Sequence, residues 1–172
     1  MKVTVTGATG VLGRDVVAAL RERGDEVTAL SRDAERARDA LPGGVQVAEW
    51  KDPKGEAPPA GALAGHDGVV HLLGEPVAQR WSDSAKEEIR ASRVLPTRNL
   101  VAALRDLEDR PGVLVSQSAS GFYGPRGTEP VDETEPAGDD FLAGVAKEWE
   151  AEARRAEELG VRVVTTRTGV VL

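Results

Sequence analysis

The chain has 172 residues, 40% hydrophobic and 30% charged, the balance of one globular domain large enough for a substantial core. A net charge of −7 argues against a nucleic-acid partner, which would call for a basic face. Cysteine is absent, which excludes a disulfide framework and a thiolate metal site. No apolar run approaches the ~18 residues of a membrane span. No basic segment leads into an apolar one as in a secretory signal, so a cytoplasmic setting is expected.

Val3–Thr6 reads as a strand, and a Gly-rich turn follows it. From Val11 the residues Leu12, Val16, Val17 and Leu20 fall at helical spacing, with Gly24 as the stop. Glu26–Leu30 is a second strand, Asp33 an N-cap, and Ala34–Leu41 a helix. Pro42-Gly43-Gly44 turns the chain into a third strand, Val45–Glu49. Asp52–Gly65 reads as a loop, Asp67–Leu73 as a fourth strand and Gly74–Arg80 as irregular. A long helix is predicted from Ser82 or Asp83 to about Leu107, with a kink at Pro96. Val113–Ser116 is a fifth strand, followed by a loop of about twenty residues, a length usually reserved for function or motion. Phe141–Leu159 is a helix and Val161–Thr166 a sixth strand.

Alternating strands and helices imply right-handed βαβ crossovers and an all-parallel sheet. The expected class is α/β, a Rossmann-type doubly wound sheet of order 3-2-1-4-5-6. Its ligand lies at the carboxyl ends of the strands, near the switch between the first and fourth.

The first strand and helix flank Thr6-Gly7-Ala8-Thr9-Gly10-Val11-Leu12-Gly13. In that context Gly7 permits a tight turn, Gly10 lets backbone approach a pyrophosphate, and Gly13 allows close helix packing. The helix start adds free N–H donors and a positive dipole end. After the second strand come Ser31 and Arg32, where an NAD enzyme usually carries an acid for the ribose 2′-hydroxyl. An arginine suits a 2′-phosphate instead, so NADP(H) is the expected cofactor. Its contacts are assigned to Gly7, Thr9, Gly10, Val11, Leu12, Gly13, Ser31, Arg32, Leu72 and Gly74.

Several further stretches carry a family resemblance over nearly the whole chain: Val69–Pro76, Ile89–Arg93, Val115–Gly124, Gly138–Leu142, Trp149-Glu150 and Arg167–Leu172. With the glycine loop, they resemble the extended short-chain dehydrogenase/reductase superfamily of the NAD-dependent epimerase/dehydratase type. The narrower likeness is to its epimerase-like family, often described as nucleoside-diphosphate-sugar epimerases. The resemblance implies a tyrosine acid/base, a lysine four residues later that assists it and binds the nicotinamide ribose, and a serine after the fifth strand that orients the substrate. A phenol of pKa ~10 needs such help to act near neutrality.

Lys147 stands where the lysine is expected, but Ala143 occupies the tyrosine's position. Ser118 matches the serine, with Ser116 and Ser120 as alternatives. Tyr123, the single tyrosine, lies in a Tyr-Gly pair that ordinarily does not donate the proton. Arg93 takes the place of a structural asparagine. The proton donor stays open among Tyr123, a loop carboxylate and water.

His71 reads as a buried structural histidine and His66 as a loop residue. With two histidines and no cysteine, no metal site is expected. Glu129, Asp132, Glu133, Glu135, Asp139 and Asp140 read as a solvated loop face. Trp50 is assigned to the adenine side or to edge packing, and Arg80 and Trp81 to substrate contact.

The whole chain, 1–172, is expected to be the NADP-binding Rossmann domain at the N-terminal end of a longer protein, with the substrate-binding part absent. The implied function is NADP(H)-dependent oxidoreductase or epimerase-like chemistry on a small molecule, with a sugar nucleotide among the candidates. The alternative is a non-catalytic NADP(H)-binding redox sensor or scaffold. A homodimer through the two long helices is expected, with no membrane or nucleic-acid partner.

Overall fold

The computed structural model describes residues 1–171, so Leu172, the last residue of the Arg167–Leu172 motif, lies outside the described residues. Six parallel strands, β1 (Lys2–Thr6), β2 (Glu26–Ser31), β3 (Gln46–Glu49), β4 (Gly68–His71), β5 (Val113–Ala119) and β6 (Arg162–Thr168), form one sheet in the order β3-β2-β1-β4-β5-β6. The expected topology is the observed one. The connecting helices are α1 (Val11–Glu22), α2 (Ala34–Ala40), α3 (Asp83–Arg105) and α4 (Phe141–Arg154).

The period-two alternation of the strands sorts residues between two cores. Val3, Val5, Val27 and Ala29 pack with Val17 of α1 and Ala37 of α2 on one face. Val69 and Leu114 pack on the other face with Leu100, Val101 and Leu104 of α3 and Ala153 of α4. Side chains capable of capping start three of the helices: Asp33, Ser82 and Asp140 accept from the amides of Arg36, Ala85 and Ala143. The fourth, α1, starts on Gly10 with no side-chain cap.

Several boundaries differ from expectation, among them the sixth strand, which runs Arg162–Thr168 instead of Val161–Thr166. Strand β4 stops at His71, because β1 ends opposite it at Thr6 and then turns away at Gly7, leaving Leu72 and Leu73 without a ladder partner on that side. Strand β5 runs on to Ala119, paired with β6 residue by residue as far as Thr168. Ser118, within the added stretch, is 1% exposed, so its polarity marks a buried contact and not the loop it suggested. The last helix tightens to a 3-10 turn at Arg155–Leu159 and ends at Gly160 (φ 78°). Pro96 is buried within α3, which continues to Arg105.

A polar relay runs beneath the glycine loop. The Leu72 N–H donates to Thr6 Oγ1 (3.1 Å), and Thr6 Oγ1 lies 2.8 Å from His71 Nδ1. On the other side His71 Nε2 lies 2.9 Å from Thr97 Oγ1, whose own proton goes to the Arg93 carbonyl (2.6 Å). With Thr97 donating elsewhere, His71 must carry its proton on Nε2 and accept from Thr6 at Nδ1. The ring is therefore neutral, and burial holds its pKa down at about 4.

A depressed folded-state pKa means that His71 stabilises the fold fully above its ordinary value of 6.5 and progressively less as pH falls towards 4. Chemical denaturation between pH 7 and 4 should therefore show a loss of about 3 kcal/mol assignable to this group. In His71→Gln the total stability should be lower and this part of the slope absent. An unchanged slope in the variant contradicts the assignment.

Candidate functional site

Gly7 adopts φ +66°, and a Cβ there would lie 2.9 Å from the Leu72 carbonyl oxygen. A Cβ on Gly13 would run into the Gly7 carbonyl and lie 2.8 Å from the Ala8 backbone. The turn is thus pressed between the exit of β4 and the first turn of α1. Gly10 N–H closes onto Gly7 O (3.0 Å), and the first α1 hydrogen bond is Arg14 N–H to Gly10 O (3.1 Å). The amides of Val11, Leu12 and Gly13 are left as free donors, with no acidic residue in the first turn. Val11 is 73% exposed, and its backbone amide is among the free donors. A concave backbone that rejects side chains and presents amides at a helix start fits a pyrophosphate.

This turn forms one wall of a cleft of about 210 Å³ lined by Gly7, Thr9, Gly10, Leu30, Ser31, Arg32, Trp50, Pro53, Leu72, Leu73 and Gly74. The carboxylate of Asp33 caps α2 through the Arg36 amide (3.0 Å), and Ser31 Oγ donates to Asp33 O (2.9 Å). Arg32 is exposed at the cleft edge. Trp50 is 2% exposed in the core, the packing role among its two expectations, and it also borders the cleft, with Nε1 donating to Glu56 O at 3.0 Å.

The α4 side of the sheet is built differently from the pattern that the resemblance implies. Ser118 and Arg167 are neighbours in the β5–β6 register, both on the face covered by α4. Ser118 Oγ donates to Glu150 Oε1 (2.7 Å), while Arg167 grips both carboxylate oxygens, Nε to Oε1 at 2.8 Å and Nη2 to Oε2 at 2.9 Å. Arg167 Nη1 also donates to Tyr123 Oη (2.8 Å), and the guanidinium stacks 3.5 Å from the Phe122 ring centroid. Burial pushes Glu150 up, but the hydrogen bonds and charge of Arg167, with Ser118, outweigh it and hold the carboxyl below its usual value. Arg167 is raised, chiefly by its hydrogen bond to Glu150.

Ser118 and Tyr123 are thereby brought into one network, and Lys147 is not. Ala143 is 0% exposed, on the buried stripe of α4 with Ala146, Glu150 and Ala153. Lys147 lies outside that stripe, exposed, with no polar partner among the described residues. Ser116 is buried on the Ser118 face, and Ser120 is exposed in the 3-10 turn Ser120–Tyr123.

The long loop after this turn is tied at its neck by the Gly138 N–H to Phe122 O bond (2.9 Å), and its acidic residues are exposed. Trp81, 42% exposed, meets Phe141 edge-on at 5.4 Å. Arg93 donates to Ile89 O and Glu75 O, both at 2.9 Å, and stacks 5.3 Å over Trp149, so it binds the β4 exit to α3 and α4. Among the described residues no group of three or more metal-ligating side chains occurs, and no helix is long and apolar enough to cross a membrane.

Sequence reasoning assigned no role to Glu150 or Arg167, although both lie in the Trp149-Glu150 and Arg167–Leu172 stretches. The available signal was a charge placed at a position whose period faces the core. Glu150 is 4% and Arg167 16% exposed at the side chain. Removing Arg167 would leave the buried carboxylate with only the Ser118 hydroxyl and the more distant, exposed Arg154 (3.8 Å), so Arg167→Ala should cost about 3 kcal/mol in urea unfolding. Ser118→Ala removes one neutral donor and should cost only about 1 kcal/mol. Equal effects of the two changes would contradict this division of labour.

The sequence profile of the NAD dependent epimerase/dehydratase family matches residues 3–172. The epimerase family protein SDR39U1 homolog of Arabidopsis thaliana, described as chloroplastic, is 39% identical over 181 residues, covering 100% of this chain and 49% of its own. The epimerase family protein Mb2239 of Mycobacterium bovis is 39% identical over 171 residues, covering 99% and 54%. This chain thus spans about half the length of these relatives. Among solved structures, the human epimerase family protein SDR39U1 (isoform 2) with NADPH superposes with a TM-score of 0.79 at 30% identity, covering 100% of this chain and 55% of that one. The nucleoside-diphosphate sugar epimerase of Corynebacterium glutamicum gives 0.79 at 38% identity, covering 100% and 34%. The UDP-glucuronic acid 4-epimerase of Bacillus cereus, solved with NAD, gives 0.78 at 18% identity, a likeness of fold. With the glycine cradle, the strand order and the profile in agreement, the chain belongs to the NAD dependent epimerase/dehydratase family.

Proposed function

We propose that this chain is the NADP(H)-binding portion of a longer oxidoreductase or epimerase-like enzyme acting on a small molecule. The observation that carries the reading is the cleft that joins the glycine cradle to Arg32, beside an Asp33 carboxylate committed to capping α2. The cradle amides hold the pyrophosphate, Arg32 faces the 2′-phosphate, and Leu72 to Gly74 border the groove on its β4 side. The human relative solved with NADPH supports the choice of nucleotide.

When bound, a nicotinamide cofactor gives or takes a hydride at its ring, and the chain must manage the accompanying proton. Tyr123 is the phenol available for this. Its oxygen accepts from Arg167, while its own proton goes to no acceptor among the described residues. Arg167, Glu150 and Ser118 position that phenol. In this reading Ser118 acts through Glu150, and Lys147 reaches the nicotinamide ribose from the flank of α4. A sugar nucleotide is the first substrate class to try, and selection among substrates belongs to the length of the relatives that this chain does not span.

A second reading, a sensor or scaffold that binds NADP(H) without turnover, is favoured by Ala143 in place of the tyrosine and by the commitment of the Ser118 hydroxyl to Glu150.

Fluorescence titration should show NADPH binding at least about tenfold tighter than NADH, as a charge-assisted phosphate contact provides. Equal affinities would overturn the NADP(H) assignment. Lys147→Ala should weaken NADPH binding, and an unchanged affinity removes Lys147 from the site. In the full-length protein, stereospecific hydride exchange between labelled NADPH and carbonyl substrates should be abolished by Tyr123→Phe while NADPH affinity is kept. Exchange that survives in this variant would exclude Tyr123 as the donor.

A further inference from the structure

A second cavity, of about 230 Å³, adjoins the first and shares Arg32, Pro53, Leu73 and Gly74 with it. Its wall adds three residues from the exit of β3, Lys51, Asp52 and Lys54, and Glu75, Glu88, Ser92 and Pro96 from the β4 exit and α3. The charges in this wall sort into those already committed and those free. Lys54 Nζ is bound by both oxygens of Glu88, at 2.9 and 2.8 Å. Asp52 Oδ1 accepts the Lys54 amide within its own turn (3.2 Å). Glu75 lies close enough to the half-buried Arg93 to raise its pKa against the effect of burial. Arg32 and Lys51 remain, and neither has a carboxylate partner among the described residues.

The wall as a whole is balanced, three cations against three carboxylates, but Arg32 and Lys51 are the two cations that no carboxylate holds, and both line the cavity beside the dinucleotide cradle, where an anionic ligand group can recruit them. We infer that Lys51 is a second cofactor-selecting residue, which holds the ribose 2′-phosphate together with Arg32, so that the preference for the phosphorylated nucleotide is divided between the exits of β2 and β3. Arg32 lines both cavities and so stands where a nucleotide lying in the first would present its ribose to the second. The loop that carries Lys51 is held against α3 by Asn99 Nδ2 to Pro53 O (2.9 Å) and by the Lys54–Glu88 pair, which gives the ammonium a fixed base. The planar guanidinium and the compact ammonium contribute differently, the first by directed hydrogen bonds and the second as a point charge.

This inference rests on the NADP(H) reading above, and its test separates the two. Adenosine 2′,5′-bisphosphate and 5′-AMP are titrated calorimetrically into the chain and its variants, since they differ only by the 2′-phosphate. Lys51→Ala should weaken the bisphosphate about tenfold and leave 5′-AMP within about twofold, and the loss should shrink as salt is raised. Arg105→Ala, an exposed cation at the far end of α3 and outside both cavities, should leave the ratio of the two affinities unchanged. Arg32→Ala combined with Lys51→Ala should abolish the preference altogether. If the unaltered chain prefers the bisphosphate and Lys51→Ala keeps that preference, the role of Lys51 is overturned while the NADP(H) reading stands. If the unaltered chain shows no preference, the NADP(H) reading itself fails.

Discussion

The structure depends on the close approach of the Gly7 turn to the Leu72 carbonyl. At that contact β1 and β4 part company, and the groove for a dinucleotide opens between them. No side chain fits there, so the contact requires glycine and fixes where backbone amides can meet a phosphate. The relay Leu72–Thr6–His71–Thr97–Arg93 lies directly beneath and binds the two strand ends to α3 through neutral hydrogen bonds. A neutral relay suits this place. It stiffens the floor of the cradle without putting a buried charge under the phosphate site.

Beyond this floor the molecule divides its charged groups between two tasks. On the α4 side, Glu150 and Arg167 neutralise one another, and their bidentate geometry converts an ion pair into a rigid mount for Tyr123. Ser118 contributes to the mount, and its hydroxyl is directed at Glu150. On the β2–β3 side the same accounting leaves Arg32 and Lys51 without partners. Paired charges hold the α4 side in shape, and the proposed 2′-phosphate contacts draw on the two cations left without a carboxylate partner.

Much of this was legible in residue order. The glycine spacing, the cap at Asp33 and the alternation of aliphatic strands with amphipathic helices are local signals, and local physics decides them. Trp50 was readable only as a choice between core and ligand, because a strand-end indole serves both. The 117–119 segment was misread for a related reason. Serine in a strand looks like a loop unless the carboxylate it meets, 32 positions away, is known.

By itself the sequence determined the fold class, the strand order and the glycine turn of this protein, since these follow from periodicity, chirality and the size of glycine. Only the tertiary structure decided the partners: that Ser118 faces Glu150, that Arg167 meets Tyr123, that Lys147 is exposed, and that Lys54 is paired while Lys51 is free. Ion pairs and hydrogen bonds between distant residues depend on strand register and helix facing, and neither is encoded in the residues that make the contact.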